Sequence, residues 1–567
     1  MRHDPHSRRY VNKLDATQVL LKLQSDCDEI RQGHVVVRGG GEYPFHYIGH
    51  THGQEYYSVT IPAAHRTEYA FKVFSCGLER WVTPTGTHFN GGQPPDWFTY
   101  EPADHLAFAT PAWVRDAIFY QIFPERFCNG DRSNDPSGTR PWGTAPALRN
   151  FMGGDLAGIL QKLDYLETLG INALYLTPIF KSASNHKYDT IDYFEIDEHF
   201  GDLALLKKLV KECHQRGLRI ILDAVLNHCS NLHPHFLDVR KKGPKSKYWD
   251  WFFIKQWPIP ARFKTHQEAL DHYNCWWGFY TLPQLNYHNP AVEKYFLDVA
   301  TYWIEQAGID GWRLDVPNEV IQSFWPKFRQ AVKTVNPEAY IVGEIWDDAT
   351  SWLQGDQFDA VMNYRFQKAL LGCFAEQKLT VRQLDHTLRQ IAVDYPEQAT
   401  AVMLNLLGSH DTPRPMTAAG RDETALKLIT TVQFTFEGAP CIFYGDEIGL
   451  EGEKDPDCRR CYPWDKPELQ HQQLFAHYQK LIAIRKANPA LRTGTFRTLI
   501  ADDDRELYVY ERRLAGNRCL VAVNRSANPH VIDFGEDLTG HELLHDVPLA
   551  GSSATIAPRQ SAIWRIA

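Results

Sequence analysis

Eight short apolar runs, each followed by an amphipathic segment, set the fold of the long central part of this chain. They are rich in β-branched and apolar residues and have the length of buried strands. In chain order from Ala117 they read AIFYQIFPERF, ALYLTPIF, RIILDAVLNH, GWRLDV, AYIVGEI, FDAVMN, VMLNLLGSHD and PCIFYGDE. Amphipathic segments such as LALLKKLVKECHQRG end in glycine, the usual helix-stop residue. Eight strand-helix units predict an α/β fold, a (β/α)8 TIM barrel.

The regions on either side of the barrel have a different pattern. Residues 1–112 contain short alternating stretches such as HVVVRGG and YYSVTIP, separated by turn residues. Beyond the barrel the chain returns to alternation in ELYVYERR and CLVAVNRS. We therefore predict an N-terminal β-sandwich over residues 1–112, the (β/α)8 barrel over 113–491 and a C-terminal β-sandwich over 492–567.

A long insertion follows the third predicted strand. That strand ends at His228 and the next helix begins at about Pro290, so residues 229–289 are predicted to form a small loop domain on one rim of the barrel. Insertions of this length in a compact domain are usually functional. This one contains the run WWGFY at 276–280, whose rings either wall a cleft or form a small satellite core.

Three of the predicted strands end in an acidic residue. Asp315 follows GWRL, Glu344 follows AYIVG, and Asp411 closes VMLNLLGSHD. Because the carboxyl ends of barrel strands meet on one rim, these three carboxylates are expected to converge there. Like charges in one pocket push their pKa values apart, so that one carboxyl stays protonated while another is ionised. Cleavage of a glycosidic bond requires such a pair, although each acid taken alone is more often a helix cap.

Composition excludes several other classes of protein. The 567 residues are 43% hydrophobic and 23% charged, which is typical of a globular protein, and the net charge is −9. An acidic chain of this kind gives no reason to expect nucleic acid or a membrane surface as a partner. There is no long apolar run and no apolar signal segment near the N-terminus, so we expect a cytoplasmic protein.

The remaining motifs give no sign of redox, nucleotide or metal catalysis. Among eleven cysteines, only the segment Cys458-Arg459-Arg460-Cys461 has the spacing of a redox pair or of half a zinc site, and nothing nearby completes it. We expect these thiols to be structural. No organic cofactor is expected, because no glycine-rich phosphate loop occurs. A barrel hydrolase with a metal-binding His-x-His pair after the first strand is excluded, since Gln121, Ile122 and Phe123 stand there.

Four motifs occur in order at the predicted strand ends: DAVLNH at 223–228, GWRLDVPNE at 311–319, GEIW at 343–346 and LLGSHD at 406–411. With them the barrel resembles the α-amylase family of glycoside hydrolases. The N-terminal β-domain and the runs LPQLN and DPDCRRCYPWD are similar to its cyclomaltodextrinase, neopullulanase and maltogenic amylase group. The resemblance implies a retaining hydrolase of α-1,4 bonds in cyclodextrins, maltooligosaccharides and related α-glucans, with pullulan, α-1,6 cleavage and transglycosylation as further activities to test.

The resemblance also implies a role for each residue at the strand ends. Asp315 would be the nucleophile that forms a covalent glucosyl enzyme, Glu344 the general acid and base, and Asp411 the group that stabilises the transition state. The residues expected to contact the sugar are Arg313, His228, His410 and Tyr188. The residues expected to support the loop after the third strand are Asp223 and Asn227.

A structural calcium ion and a homodimer are two further implications of the resemblance. The expected calcium ligands are oxygens of Asn129, Asp131, Asn134, Asp135, Gly153 and Asp155. The alternative for this segment is an Asx-rich turn without metal. The homodimer is expected because, in the resembling group, the N-terminal domain of one chain covers the cleft of the other.

Two departures from the group leave the details of activity open. The motif VPNE at 316–319 replaces the usual VANE, and VIQSFW at 320–325 lacks the Asp-His pair that lies near the acceptor subsites. Two alternative functions also stay open: an exo-acting maltodextrin glucosidase that releases glucose, and a non-catalytic carbohydrate-binding or partner subunit.

Overall fold

The N-terminal domain is a pair of antiparallel sheets packed around one core, as predicted. This computed structural model describes residues 1–26, 29–51, 53–75, 77–89 and 92–567. The sheets have the orders β1-β2-β6-β5 and β4-β3-β7-β8-β9, with β10 paired to β7. The strands in the described part of this domain are β1 (Val11–Lys13), β2 (Gln18–Asp26), β3 (Ile30–Val37), β4 (Glu42–Pro44), β5 (His46–Thr51), β6 (Gln54–Pro62), β7 (Thr67–Ser75), β8 (Leu78–Thr83), β9 (Gly86–Phe89) and β10 (Phe98–Tyr100).

The central domain is a parallel barrel, and each of the eight predicted segments contributes one strand. These strands are β11 (Phe119–Ile122), β12 (Ala173–Leu176), β15 (Arg219–Ala224), β16 (Gly311–Leu314), β17 (Tyr340–Gly343), β18 (Ala360–Val361), β19 (Leu404–Leu406) and β20 (Ala439–Phe443). The hairpin β13 (Phe180–Ser182) and β14 (Thr190–Ile196) projects after the second strand. A parallel bridge between Met362 and Leu404 joins the sixth and seventh strands and closes the ring.

Helices surround the barrel and alternate with its strands. They are α1 (Pro124–Phe127), α2 (Leu156–Gln161), α3 (Leu163–Leu169), α4 (Leu203–Gln215), α5 (Pro234–Lys242), α6 (His266–His272), α7 (Pro290–Ala307), α8 (Phe324–Val335), α9 (Tyr364–Leu370), α10 (Val381–Asp394), α11 (Glu397–Thr400), α12 (Pro415–Ala418), α13 (Glu423–Thr435), α14 (Gln472–Ala487) and α15 (Ala490–Thr493). Within the part of the chain that the structure describes, no helix has the length and apolarity needed to cross a bilayer.

Local sequence explains where the longest of these helices begins and ends. Asn289 caps α7 by accepting a hydrogen bond from the Ala291 amide, and Pro290 occupies the first helical position, where no amide hydrogen is needed. Gly308 ends the helix with a φ of 74°, a left-handed conformation that glycine adopts without a steric penalty. The predicted insertion 229–289 therefore ends where α7 begins, and it contains the short helices α5 and α6.

The C-terminal domain, expected as a β-sandwich, is built on one antiparallel sheet of six strands with the order β21-β22-β23-β26-β24-β25. β24 bends within its length, so it pairs with β26 near one end and with β25 along most of its course. The strands are β21 (Thr495–Asp502), β22 (Leu507–Leu514), β23 (Asn517–Asn524), β24 (His530–Glu542), β25 (Val547–Ile556) and β26 (Gln560–Ile566).

The predicted domain boundaries fall between or beside these elements. Residue 112 lies between the last N-terminal strand, which ends at Tyr100, and the first barrel strand, which begins at Phe119. Residue 491 lies inside α15, four residues before β21 begins at Thr495. The barrel and the N-terminal domain are joined by Lys22, whose buried Nζ donates to the Val393 and Tyr395 carbonyls at the end of α10.

Candidate active site

Arg313 is the centre of a buried ionic cluster at the carboxyl ends of the barrel strands. Its side chain is fully buried. Nη1 lies 2.8 Å from Asp315 Oδ1 and 3.0 Å from Asp223 Oδ2, and Nη2 lies 2.9 Å from Glu344 Oε2. Side chains two residues apart on a strand point to the same face, which is how Arg313 and Asp315 come to share one pocket. One cation therefore faces three carboxylates.

The shortage of positive charge changes the acidity of these carboxyls. Burial raises the pKa of Glu344 to about 7, Arg313 opposes the shift, and the charge of Asp411 reinforces it. Burial also raises the pKa of Asp315 well above its ordinary value, against Arg313 and together with the charges of Glu344 and Asp223. Interacting carboxyls titrate as a set, so the upward pKa shifts of Asp315 and Glu344 depend on each other.

Glu344 is held by two donors besides Arg313. Its Oε2 accepts from the Val316 amide at 3.1 Å, and its Oε1 accepts from Trp346 Nε1 at 3.3 Å. Val316 has a φ of 35°, which is rare for a β-branched residue because of steric conflict with its own backbone. Strain of this kind persists where the surrounding structure imposes it, and here it aims the Val316 amide at Glu344.

Asp223 and Tyr188 form the second part of the cluster. Asp223 Oδ2 accepts hydrogen bonds from Tyr175 at 2.7 Å and from Tyr188 at 2.9 Å. The Tyr188 hydroxyl also contacts His410 Nε2, and its ring stacks on the His410 ring with an interplanar angle of 8°. The predicted residues Tyr188, Asp223 and His410 are thus in direct contact with one another.

Asp411 lies on the open side of the same cluster. Its side chain is 31% exposed, and its oxygens lie 3.1 Å from His410 Nε2 and 3.3 Å from Arg459 Nη2. Burial raises the pKa of Asp411, but His410, Arg459 and Arg313 outweigh it, so the net shift is downward. The surroundings thus favour the ionised form of Asp411, whereas they raise the pKa values of Asp315 and Glu344.

Sequence reasoning missed two residues that complete this arrangement. Gln121 Nε2 donates to His410 Nδ1 at 2.8 Å, and Arg459 Nε donates to the His410 carbonyl at 2.8 Å. Because burial lowers the pKa of His410 to about 3, the ring is neutral and one ring nitrogen can accept. In the sequence, Gln121 is marked only as a polar residue within an apolar strand, and Arg459 only as one of two residues between Cys458 and Cys461.

His228 and Asn227 lie beside the cluster, at the end of β15. Asn227 Nδ2 donates to Glu319 Oε2 at 3.2 Å, and the Asn227 carbonyl accepts from Leu285 in the inserted loop domain. Burial lowers the pKa of His228 to about 3, so its ring is neutral. The Nε2 atom of His228 is buried and has no hydrogen-bond partner among the described residues, which leaves it available to a ligand.

Three of the expected calcium ligands, Asn129, Asp135 and Gly153, lie against one another. Asn129 Nδ2 donates to Asp135 Oδ1 at 2.7 Å, and both groups lie against Gly153, where a Cβ atom would meet them at 2.4 and 2.1 Å. The Oδ1 atoms of Asn129 and Asn134 are buried without a donor in the described part of the chain. Orphaned acceptor oxygens of this kind fit a hard cation such as calcium.

Two members of that expected set have other partners. Both Asp155 oxygens accept from backbone amides or from Asn134, and Asp155 caps α2 through the Gly158 amide. Asp131 caps a short turn by accepting from Ser133. No group of three or more His, Cys, Asp or Glu side chains arranged for metal binding occurs in the described residues.

The sequence HELLH at 541–545 has the spacing of a zinc motif, so the expectation that the chain contains no HExxH motif is wrong. Two histidines at this spacing share a metal only when they lie on one face of a helix. Here His541 is in β24 and pairs with Asp546, whereas His545 follows in a turn and pairs with Glu542. The segment is therefore not a zinc site.

The cysteines behave as buried structural groups in the part of the chain that is described. Nine of them are buried free thiols, including Cys458 and Cys461; Cys27 and Cys76 lie outside the described residues. Burial raises the pKa of Cys458 and of Cys461 to about 12, so neither is a thiolate at neutral pH.

Comparison with known proteins decides the family to which this site belongs. The family model described as alpha amylase, catalytic domain, matches residues 121–494, which include the whole cluster. The chain belongs to the α-amylase family. It is accordingly a glycoside hydrolase, and the sequence-based recognition of this family is confirmed.

Relatives within the α-amylase family match far more than the barrel. A cyclomaltodextrinase of a Bacillus species is 47% identical over 87% of each chain, and neopullulanase 2 of Thermoactinomyces vulgaris is 46% identical over 75% of this chain and 72% of its own. A solved structure of a cyclomaltodextrinase superposes with a TM-score of 0.91 at 40% identity and covers 99% of both chains. This α-amylase family member therefore shares its N-terminal and C-terminal domains with that enzyme.

Proposed function

We propose that this protein hydrolyses α-1,4-glucosidic bonds of cyclodextrins and short maltodextrins with retention of the α configuration. The observation that carries the proposal is the cluster in which Arg313 forms ion pairs with Asp223, Asp315 and Glu344. The cyclomaltodextrinase that covers 99% of this chain supports the choice of substrate. The relative named neopullulanase 2 supports an extension of the proposal to pullulan. Some α-1,6 cleavage and transglycosylation are further parts of the proposal.

In the proposed reaction, Asp315 attacks the anomeric carbon while Glu344 protonates the glycosidic oxygen. The bond from the anomeric carbon to the leaving sugar breaks, and a covalent β-glucosyl ester forms on Asp315. Glu344, now ionised, removes a proton from water, and the attack of that water releases Asp315 and restores the α configuration. Two inversions give net retention.

The residues around these acids are assigned supporting roles in the same proposal. Arg313 favours the ionised form of Asp315, which is the form that attacks the anomeric carbon. Asp411, ionised and partly exposed, accepts hydrogen bonds from the sugar hydroxyls at C2 and C3. The unpartnered His228 Nε2 donates to the same sugar, and Tyr188 offers its ring face.

The test is a product time course on β-cyclodextrin, maltotriose, pullulan and soluble starch, with Asp315→Asn as control. Rapid opening of the cyclodextrin to maltose and glucose, with starch slow and the variant inactive, is the expected result. Release of single glucose units from linear chains while cyclodextrin stays intact would replace the proposal with a maltodextrin glucosidase. No turnover of any substrate would instead favour the non-catalytic binding subunit.

We also propose that calcium binds at the segment around Asn129, where it would have a structural role. The residues that would hold it are Asn129, Asn134, Asp135 and the Gly153 carbonyl; Asp131 and Asp155 would change partners to join them. Calcium would supply a fixed positive charge that satisfies the orphaned oxygens. Removal with a chelator should lower the melting temperature, and Asn129→Leu should abolish that dependence; a melting temperature unaffected by the chelator contradicts the proposal.

A homodimer and a cytoplasmic location complete the proposed function. The N-terminal domain is retained in the alignment with the cyclomaltodextrinase structure, which is consistent with a role in covering a partner's cleft. Light scattering should give twice the chain mass of 65.3 kDa, and a monomer would contradict this. The relative named intracellular maltogenic amylase, from Bacillus subtilis, supports the location.

A further inference from the structure

Trp277 is the most exposed of the large apolar side chains in the described part of the protein, with 74% of its surface accessible. It lies in the inserted loop domain, in the turn that follows Cys275. A ring of this size normally packs against a core, and an exposed one is informative when it adjoins a binding site. The catalytic proposal gives this ring no role.

The backbone at Trp277 has a left-handed conformation, which is uncommon for residues other than glycine. Its φ is 50° and its ψ is 25°, and the next residue, Gly278, also has a positive φ of 79°. Hydrogen bonds from Trp276 N to the Leu282 carbonyl and from Phe279 N to the Trp276 carbonyl fix the turn. Glycine would fit this backbone without strain, yet the chain has tryptophan here. Strained positions with exposed side chains are candidates for ligand contact.

A continuous series of rings connects Trp277 with the catalytic cluster. The His228 ring stacks on the Trp276 ring, with 5.6 Å between the ring centroids and an interplanar angle of 30°. The centroids of the Trp276 and Trp277 rings are 5.8 Å apart. His228 is also joined to this domain through a backbone bridge with Gln284. Trp277 is therefore connected to His228 through one intervening ring, that of Trp276.

We propose that Trp277 is a stacking platform for a glucose ring of the substrate, at an outer subsite beyond His228. The inference rests on the proposed function, because it needs an α-glucan whose reacting bond lies at Asp315. The apolar face of a glucose ring matches the flat indole, which offers no charge and only one hydrogen-bond donor. A glucan short enough to end inside the pocket does not reach Trp277, whereas a longer chain or a cyclodextrin does.

The experiment compares Trp277→Gly and Trp277→Phe with the wild type on maltotriose, maltoheptaose and β-cyclodextrin. Glycine keeps the left-handed backbone and removes the ring, so the melting temperature should not fall. We expect kcat/KM to fall about tenfold on the two larger substrates and less than about twofold on maltotriose. Trp277→Phe should retain most of the activity. Equal losses on all three substrates, or no loss, would overturn the proposal.

A control and a binding measurement separate this inference from the proposed function. Trp257→Ala removes another exposed tryptophan of the same loop domain and should leave kcat/KM unchanged on all three substrates. In the inactive Asp315→Asn background, β-cyclodextrin should change the tryptophan fluorescence, and the added Trp277→Gly change should weaken that binding. If the wild type turned over none of the substrates, the fluorescence titration would still decide the role of Trp277. A change of oligomeric mass in Trp277→Gly would assign the ring to a contact between two copies and overturn the proposal.

Discussion

The two ends of the barrel both bury acidic side chains, but they neutralise them differently. At the amino-terminal end, Asp310 accepts from Arg219 Nη1, His214 Nε2 and the Ile220 amide, each at 2.8 Å. Asp359 at the same end accepts from Arg329 at 2.7 Å, from Lys333 at 2.9 Å and from a backbone amide. Each of these carboxylates thus has two basic side chains and a backbone donor.

The carboxyl-terminal end reverses this ratio, because Arg313 is shared by three carboxylates. A fully paired acid at the amino-terminal end of the barrel connects neighbouring strands and helices and contributes to stability. The under-neutralised set at the carboxyl-terminal end contains Glu344, whose pKa is raised to about 7, a value suited to a general acid near neutral pH. The same fold therefore uses buried charge for stability at one end and for reactivity at the other.

Asp315→Asn and Asp359→Asn give the largest expected difference between the two ends. The first change should lower kcat on β-cyclodextrin by about 10⁴-fold or more while the melting temperature stays the same or rises, because one of three competing carboxylates is removed. The second should leave kcat/KM of the folded enzyme unchanged and cost about 3 to 5 kcal/mol of stability, since Arg329 and Lys333 lose their buried partner. Measured kcat and melting temperatures check both, and an exchange of the two outcomes would refute the comparison.

Gln121→Leu and Gln433→Leu give a smaller, matched contrast. Both glutamines are buried, but Gln121 donates to His410, whereas Gln433 donates to the Asn405 and Cys441 carbonyls. Loss of the Gln121 hydrogen bond frees the His410 ring beside Asp411, so we expect kcat/KM to fall about tenfold. Gln433→Leu should cost about 1 to 3 kcal/mol of stability and leave kcat/KM unchanged. Equal kinetic effects would remove Gln121 from the site.

Glu344→Gln should change how stability depends on pH, which is the smallest of the expected effects. The folded-state pKa of Glu344 is about 7, above its ordinary value of 4.5, so the folded state binds this proton more tightly than the unfolded state does. The stability from that proton is complete below the ordinary value and is lost as the pH rises through about 7. The melting temperature of Glu344→Gln, relative to wild type, should therefore increase with pH across this range. A difference that stays constant with pH would contradict the raised pKa.

The sequence predicted those parts of the molecule in which local pattern and chemistry coincide. Arg313 and Asp315 stand two positions apart on one strand, so their shared pocket followed from the pleat of a β-strand. The eight barrel strands were each recognised, even β18, of which only Ala360 and Val361 are paired. The apolar sequence of each run was enough to predict its barrel strand.

Contacts between distant segments could not be predicted in the same way. Gln121 and His410 are 289 residues apart, and no periodicity relates them; the only available signal was a polar residue inside an apolar strand. The charge deficit around Arg313 depends on side-chain positions and not on the number of acids in the motifs. The φ of 35° at Val316 was equally hidden, although Pro317 after it marks an unusual turn.

The pH dependence of kcat/KM on β-cyclodextrin tests the central claim, that under-neutralised carboxyls keep the acid protonated, most directly. The free-enzyme profile should have a descending limb with an apparent pKa of about 7, the value for Glu344. Asp411→Asn should move this limb to lower pH in whatever activity remains, because the charge of Asp411 raises the pKa of Glu344. A rate that stays constant from the acidic range up to about pH 9 would contradict the claim.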